Sequence, residues 1–552
     1  MPGSFVVGAI MCAMDDAYAA RLAAAEPRTP RPFADLLDRL VTDGQLRSGV
    51  ATGLSALVLD GLTVAGLAYD SRAVSPGGLF VAVPGEHVDG HDFVADAARR
   101  GAAVAIVERD MPVTIPQVVV DRSLLALAVA ATWWYGDPSS QLGVVGITGT
   151  DGKTSTARLT AAVLEAGGWP TGIVSTIGGR IGGADETRPP HATTPQAPEL
   201  QRALAAMLAA GDRAAVVETT SHGLALGRVN GVRYDIAVLT NVTHEHLDLH
   251  GTWEAYRDAK RSLFSRLAVD AANPAKADPR WPRTGILNAD DPSFELFAKT
   301  TRAAGARVLT YGRAPADLRL TGADDDGSHL RVAWDGPSGT RQVALQLAGR
   351  FNAYNALAAA AVGEAIGLDP EAVDAGLESL AGVTGRMERV ELGQPFGLII
   401  DYAHSPKSLE VVLDELARLA AASGGGLIAV IGSAGERDVA KRARMGRIAA
   451  ERCRLVVVTD EDPRDEDPMA IIDAIADGAK AAGAVEGRSV LRVRPRGEAI
   501  RSAIRAAQVG DIVLLAGKGH ENTILGPQGR EDPWNEREAA AAALAELGFG
   551  PP

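Results

Sequence analysis

Along this chain, short apolar runs alternate with longer stretches in which apolar positions recur every three or four residues, a pattern that predicts strands and helices in succession. Leu79–Val83, Val104–Val107 and Val118–Val120 read as strands and Phe93–Arg100 as a helix, giving a small α/β block over residues 33–140 that ends at Asp137-Pro138-Ser139-Ser140. A second block, residues 141–383, opens with the apolar run Leu142–Thr148, a Gly-rich turn and the helical stretch Lys153–Ala166. Strand-like runs recur at Ala215–Glu218, Ile236–Asn241 and Gly285–Leu287. Such alternation predicts a largely parallel sheet, whose ligands gather at the carboxyl ends of the strands. Between about residues 306 and 348 the runs shorten around Asp324-Asp325-Asp326-Gly327, which predicts an antiparallel annex, and Asn352–Ile366 and Pro370–Leu380 read as helices. The third block, residues 384–552, holds five strand candidates (Leu398–Asp401, Leu427–Gly432, Leu455–Asp460, Val490–Val493 and Ile512–Ala516) and a closing helix near Asn535–Leu547. It reads as a Rossmann-like, doubly wound domain. Residues 1–32 are expected to form an extension, frayed or helical.

Composition narrows the function. At about 150 residues per domain, 552 residues predict three to four domains. A net charge of -14 weighs against sequence-independent nucleic-acid binding, which needs a basic footprint. Cys12 and Cys453 cannot build a disulfide framework or a multi-thiolate zinc site, so a reducing, cytoplasmic setting is expected. No apolar run reaches the roughly 18 residues of a membrane span. The run Phe5–Ala13 has no basic residue before it and is followed by Asp15 and Asp16, a poor match to a secretory signal. The expectation is a monomeric protein with small-molecule partners, no nucleic acid and no membrane insertion.

Gly146-Ile-Thr-Gly149-Thr150-Asp151-Gly152-Lys153-Thr154-Ser155 follows a predicted strand and opens a predicted helix. Backbone N–H groups there can hold phosphate, Lys153 can reach terminal phosphates, and Thr154 can ligate Mg²⁺. The spelling departs from the strict phosphate loop, since the first glycine lies one residue early, and a plain strand-to-helix turn is the alternative. Glu218 ends one strand, and Asn241 to His250 follows another, so both should emerge on the same sheet edge as the loop. Carboxylate, imidazole and hydroxyl there suit a Mg²⁺-nucleotide. His244, His246 and His250 also resemble a zinc cluster, a reading weakened by the absence of any thiolate, and His244 and His250 are expected to organise a loop. Lys260, beside Arg257, Asp258 and Arg261, reads by itself as part of a solvated helix face.

The ordered set Asp70-Ser71-Arg72, Gly149 to Thr154, Thr193-Thr194-Pro195, Glu218 to His222, Asn241 to Gly251, Tyr256 with Lys260, Asn288 to Asp291, Gly349 to Asn355, Gly385 to Glu388, Asp401 to His404 and Gly517 to Glu521 resembles the Mur ligases over residues 60–545. Within them it is similar to the branch that adds the third residue of the peptidoglycan stem peptide. The resemblance implies three α/β domains: a small one for the UDP-sugar, a central ATPase with a parallel sheet, and a Rossmann-like one for the amino acid. It implies that ATP activates the D-glutamate γ-carboxylate of UDP-MurNAc-L-Ala-D-Glu as an acyl phosphate, which the amine of a diamino acid (meso-diaminopimelate, lysine or ornithine) then attacks. By that resemblance Gly149, Thr150, Asp151, Gly152, Lys153, Thr154, Ser155, Asn288, Arg386 and Asp401 contact ATP. Thr154, Glu218, His246 and Lys260, the last as a CO₂-derived carbamate, hold two Mg²⁺ ions. His404 neighbours the reacting phosphate, so that Lys153, Glu218, His246, Lys260 and His404 are the catalytic candidates. Ser71, His87, Thr193, Thr194, Thr220 and Arg228 take the UDP-sugar peptide, and Arg437, Glu461, Asp462, Pro463, Arg464, Gly517 and Glu521 the amino acid. Arg72 is expected to support its loop.

Several positions depart from the family spelling. Asp151 and Glu245 keep oxygen ligands and are mild changes, Thr220 stands where serine is common, and Lys407 reverses a charge near His404. Asp462 stands where asparagine is usual in the diaminopimelate-adding enzymes. An added carboxylate would repel the second carboxylate of diaminopimelate and favour a terminal ammonium, unless Asp462 pairs with Arg464 or Arg437. Two competing readings remain in view: a ligase of the folylpolyglutamate type, against which the Asp70 to Arg72 domain and the Glu461 to Arg464 loop argue, and a nucleotide-binding regulatory NTPase, which would need neither Lys260 nor a third domain.

Overall fold

The computed structural model describes residues 17–46, 61–85, 88–186, 192–243, 247–269, 276 and 278–550. His87, His244, Glu245 and His246 therefore lie outside the described residues. The chain divides into two compact units, Met1–Arg319 with Asn355–Gly376, and Leu320–Tyr354 with Leu377–Pro552.

The first unit contains a four-stranded parallel sheet, Leu67–Ala68, Leu79–Val81, Val104–Val107 and Gln117–Val119. The helices Phe33–Thr42 and Ser123–Trp134 cover one face, around Phe33, Leu36, Leu127 and Trp134, and Val94–Arg99 covers the other. Its larger sheet has the parallel order Thr171–Val174, Ala214–Glu218, Gly143–Thr148, Ile236–Leu239, Thr284–Asn288, Arg307–Gly312. These strands are continuous β-branched and aliphatic runs because the sheet is covered on both faces. Arg307–Gly312 corrects one expectation: it pairs parallel to Thr284–Asn288 over five residue pairs and belongs to this sheet rather than to an antiparallel annex. Residues 17–24 are helical and docked, with Tyr18 in the core of the large sheet.

Register decides where chemistry can gather. Glu218 pairs with Ile147, and Leu239 with Thr148, so the segments after Thr148, Glu218 and Leu239 leave the sheet side by side.

The second unit holds the antiparallel pair Leu330–Gly336 and Gly339–Leu345 and a six-stranded sheet. The order is Glu388–Arg389, Gly397–Asp401, Ile512–Ala516, Leu427–Ile431, Leu455–Val458, Val490–Arg492, parallel apart from the first strand. All five expected strands are present. Pro406–Ala422, Ala440–Ala450 and Pro468–Ala481 pack on one face, and Arg496–Ala506 and Glu536–Ala545 on the other. Asp401 pairs with Ala516, and Ile431 with Val458, so the loops beginning at Tyr402, Gly517, Gly432 and Thr459 share one edge.

The closing helix is fixed by a buried ion pair. The side chains of Arg496 and Glu536 are both fully buried, 2.6 Å apart. Arg496 also donates to the Ala516 carbonyl (2.8 Å) and the Asp460 carbonyl (3.2 Å), and Trp534 donates to Glu536 (2.6 Å). Removing one partner strands the other charge in a dry site. Glu536→Ala is expected to lower the stability of the second unit by about 3–5 kcal/mol, read from the urea midpoint of its unfolding transition; a loss near zero would contradict the assignment.

Candidate active site

The phosphate loop is shaped by two glycines. Gly149 has φ +153°, and a Cβ there would lie 1.8 Å from Thr240 Oγ1; Gly152 has φ +83°, and its Cβ would lie 2.5 Å from Asn355 Oδ1. Neither position accepts a side chain without displacing its neighbour. Across the edge, Thr150 N–H donates to the Asn241 carbonyl (2.8 Å), Asp151 N–H to Asn241 Oδ1 (3.0 Å), and Thr240 Oγ1 to the Asp151 carbonyl (2.7 Å). Thr150 Oγ1 and Tyr256 OH are 2.9 Å apart. The loop then runs into the helix Lys153–Ala166, whose first amides lack intrahelical acceptors and favour an anion.

Beside it lies a buried carboxylate. Glu218 is fully buried; its Oε2 accepts from Thr154 Oγ1 at 3.1 Å and its Oε1 from Thr176 N–H at 3.2 Å. The Thr176 hydroxyl lies 3.1 Å from Glu218 Oε2 and 3.0 Å from Thr193 Oγ1. Thr194 Oγ1 is 3.0 Å from Thr220 Oγ1 and donates to the Glu218 carbonyl, while Arg228 donates to the Thr194 carbonyl (3.0 Å). Burial pushes the Arg228 guanidinium below its ordinary range. Thr193, Thr194, Thr220 and Arg228 thus form one cluster with Glu218. Ser71 sits in a separate turn capped by Asp70, to which the exposed Arg72 is bound at 2.7 Å, as expected of a loop support.

Lys260 departs from the solvated-face pattern of its neighbours. It is 2% exposed, on the helix Trp253–Ser265. Its ammonium donates to the Gly149 carbonyl at 2.6 Å and lies 4.4 Å from the centre of the Tyr256 ring. Lys153 donates to the same Gly149 carbonyl (3.0 Å) and to that of Thr150 (2.7 Å). Two ammonium groups therefore converge on one backbone oxygen, an arrangement suited to an anion. Asn288 donates to the Thr240 carbonyl (2.8 Å) and accepts from Asp290 N–H (3.0 Å), which makes it a tie between strand ends as well as an adenine candidate. His250 packs edge-on against Tyr256 and His222.

At the carboxyl edge of the second unit, both Asp401 carboxylate oxygens take backbone amides, Met387 N–H (2.7 Å) and Ala403 N–H (2.8 Å). Arg386 stacks on the Tyr402 ring at 4.6 Å, and the His404 ring lies 4.7 Å from Tyr402 on its own side chain's turn, with Nδ1 2.9 Å from the Tyr402 carbonyl. Gly517 has φ +105°, and a Cβ there would lie 2.6 Å from Glu461 Oε2. Glu461 is buried, with its carboxyl pushed up by that burial, and Oε2 has no hydrogen-bond partner among the described residues. Pro463 backs the loop: its carbonyl lies 2.1 Å from where a Gly435 Cβ would stand. Arg464, at φ +54°, keeps its Nε buried and unbonded among the described residues.

Asp462 corrects the sequence expectation. It pairs with neither Arg464 nor Arg437. Its Oδ1 accepts from the buried Lys518 ammonium at 2.8 Å and from Leu525 N–H at 2.9 Å. Arg437 is exposed. Lys407 is exposed too and pairs with Glu410 on its own helix (3.1 Å), away from any buried role. Sequence reading missed Thr176 and Lys518; strand order alone would have exposed the first, since Thr171–Val174 neighbours Ala214–Glu218.

A glycine-shaped phosphate loop on a parallel sheet, a buried carboxylate beside its threonine, and a second doubly wound sheet define a nucleotide-dependent ligase of the Mur type. Family models describe residues 63–131 as "Mur ligase family, catalytic domain", 147–363 as "Mur ligase middle domain" and 385–519 as "Mur ligase, glutamate ligase domain". A UDP-N-acetylmuramyl-tripeptide synthetase of Roseiflexus sp. (strain RS-1) is 46% identical over 495 residues, 88% of this chain and 96% of that protein. A UDP-N-acetylmuramoyl-L-alanyl-D-glutamate–2,6-diaminopimelate ligase of Bacillus velezensis is 41% identical over 485 residues, 88% of this chain and 95% of that protein. A solved structure of a ligase with that same name superposes with a TM-score of 0.63 at 27% identity, covering 94% of this chain and all of the other. The chain belongs to the Mur ligase family.

Gly149→Ala adds one methyl group at a strained, occupied position. It is expected to weaken equilibrium ATP binding about five- to 150-fold, since such backbone strain costs roughly 1–3 kcal/mol; unchanged nucleotide affinity would show that the loop does not carry the phosphate.

Proposed function

We propose that this chain joins 2,6-diaminopimelate to the D-glutamate carboxylate of UDP-MurNAc-L-Ala-D-Glu at the expense of ATP. The observation that carries the reading is the convergence of Lys153 and Lys260 on the Gly149 carbonyl beside the buried Glu218. Residues 33–140 serve the UDP-sugar, 141–383 the nucleotide, and 384–552 the amino acid.

The amides of Gly149 to Ser155 and the Lys153 ammonium hold the triphosphate, exchanging the present Lys153 contacts to the loop carbonyls for phosphate oxygens. Thr193, Thr194, Thr220 and Arg228 orient the acceptor peptide, together with Ser71 and His87. The D-glutamate carboxylate oxygen attacks the γ-phosphorus and ADP departs; the amine then attacks the acyl carbon, loses a proton, and phosphate leaves with the carboxylate oxygen it gained.

The donor set fits Mg²⁺, since Thr154 offers a hydroxyl and Glu218 a carboxylate already 3.1 Å apart, and Mg²⁺ prefers oxygen ligands. When bound, Mg²⁺ neutralises charge on the phosphates. His246 belongs to the same proposed set. Loss of a proton from the Lys260 ammonium, addition of CO₂ to the resulting amine and loss of a second proton would convert the cation into an oxygen-donor anion and remove one of the two positive charges crowding the Gly149 carbonyl.

The environment of Asp462 supports diaminopimelate as the amino acid. Its charge is met by Lys518, so it does not stand open to repel a distal carboxylate, and Arg464 remains to bind one. The Bacillus velezensis relative and the solved structure, whose names include 2,6-diaminopimelate, support the same substrate.

Purified protein, UDP-MurNAc-L-Ala-D-Glu, ATP and Mg²⁺ are expected to form the tripeptide with meso-diaminopimelate, and Lys153→Ala to lower kcat at least about a hundredfold, as loss of a group that stabilises phosphoryl transfer should. Turnover with none of meso-diaminopimelate, L-lysine or L-ornithine overturns the assignment; turnover with lysine or ornithine alone overturns the choice of amino acid.

A further inference from the structure

We infer that Lys518 is a positioning residue that sets the amino-acid selectivity of the second unit, by holding two carboxyl side chains of the proposed pocket in one ion-paired triad. The inference rests on the diaminopimelate reading and deepens it.

Lys518 follows Gly517 at the carboxyl end of the strand Ile512–Ala516 and is 1% exposed. A buried ammonium is costly unless paired, and this one is paired twice: with Asp462 Oδ1 at 2.8 Å and with Glu521 Oε2 at 2.5 Å. Each carboxylate is also tied elsewhere, Asp462 to Leu525 N–H (2.9 Å) and Glu521 to Tyr402 OH (3.1 Å). One cation therefore joins the loop that carries Arg464 to the loop that carries Glu521. The charged groups around it include Arg464, Glu461, whose Oε2 is unbonded among the described residues, Lys441, which donates to the His404 carbonyl at 2.9 Å, Arg386, stacked on Tyr402, and Arg496, whose charge acts on Asp462 and Glu461 but is met by Glu536.

The arithmetic of charge makes selectivity the expected consequence. With Lys518 present, Asp462 and Glu521 sum to a single negative charge; without it they present two beside the guanidinium that would bind a distal carboxylate. Like charges about 5 Å apart in protein surroundings change an equilibrium constant more than tenfold. Diaminopimelate, with a carboxylate at its far end, pays that repulsion, whereas lysine, ending in an ammonium, does not. Lys518 acts through Asp462 and Glu521 without touching the substrate itself.

The test is a double-mutant cycle on the full chain, wild type, Lys518→Met, Asp462→Asn and the double variant. Steady-state kinetics with meso-diaminopimelate and with L-lysine would be run under identical conditions for all four proteins. Lys518→Met is expected to raise KM for diaminopimelate at least about tenfold with little change in kcat, and to shift the ratio of kcat/KM values toward lysine; Asp462→Asn added to it restores that ratio. Equal losses on both amino acids, or no restoration, overturn the inference and leave Lys518 a merely structural residue. If Lys518→Met does not fold, Asp462→Asn alone decides, since removing an anion with Lys518 in place is expected to shift the ratio toward diaminopimelate; no shift, or the opposite one, overturns it. The wild type separates the two ideas. If it uses lysine alone, the diaminopimelate reading fails, and Lys518→Met must then lower KM for lysine, a rise counting against the inference.

Discussion

Everything in the first unit's site depends on the close approach of Gly149 to Thr240. With no Cβ at Gly149, the backbone can lie where Thr240 Oγ1 reaches the Asp151 carbonyl and the Asn241 backbone meets Thr150. That contact draws the loop after one strand against the segment after its neighbour. It also aims the Gly149 carbonyl at the buried Lys260 and Lys153. A glycine-shaped loop, a carboxylate and two cations are thereby assembled from segments as far as 111 residues apart, by strand register and one missing methyl group.

The second unit applies the same physics to a different problem. Its parallel strands end together, and Gly517 leaves space for the Glu461 carboxyl much as Gly149 does for Thr240. The difficulty there is charge: four acidic residues, Asp401, Glu461, Asp462 and Glu521, crowd one edge. Each is handled in its own way. Asp401 is capped by two backbone amides, Glu461 is driven toward its neutral form by burial, and Asp462 and Glu521 share Lys518. The negative charge at this edge is thus partly offset within the protein, and Arg464 Nε has no hydrogen-bond partner among the described residues.

Much of this was legible in the sequence, for identifiable reasons. Continuous apolar runs announce buried parallel strands, so Gly143–Thr148, Ala214–Glu218 and all five strands of the last block were found within a residue or two. The phosphate loop was legible because its glycines, lysine and threonine are contiguous. Three features were not. Arg307–Gly312 looked like part of an antiparallel annex because an apolar run carries no sign of its partners' direction; the strand lies inside the sheet, parallel to Thr284–Asn288 on one side and to Leu318–Asp325 on the other. Lys260 taken alone looked solvated because its neighbours Arg257, Asp258 and Arg261 are polar; only the family motif singled it out, and the helix's packing is what turns that side chain inward. The partner of Asp462 was sought among nearby arginines, while the true partner, Lys518, lies 56 residues along the chain and is brought close by strand order. Contacts across a sheet edge are tertiary information, which local pattern cannot supply.

The central claim is that the loop, Lys153 and Glu218 serve to transfer phosphate to a carboxylate before the amide forms. It is tested most directly by labelling both oxygens of the D-glutamate γ-carboxylate with ¹⁸O and analysing the inorganic phosphate released on amide formation by mass spectrometry. The account predicts one ¹⁸O atom in each phosphate formed. Phosphate without label, at full conversion to the tripeptide, would contradict it.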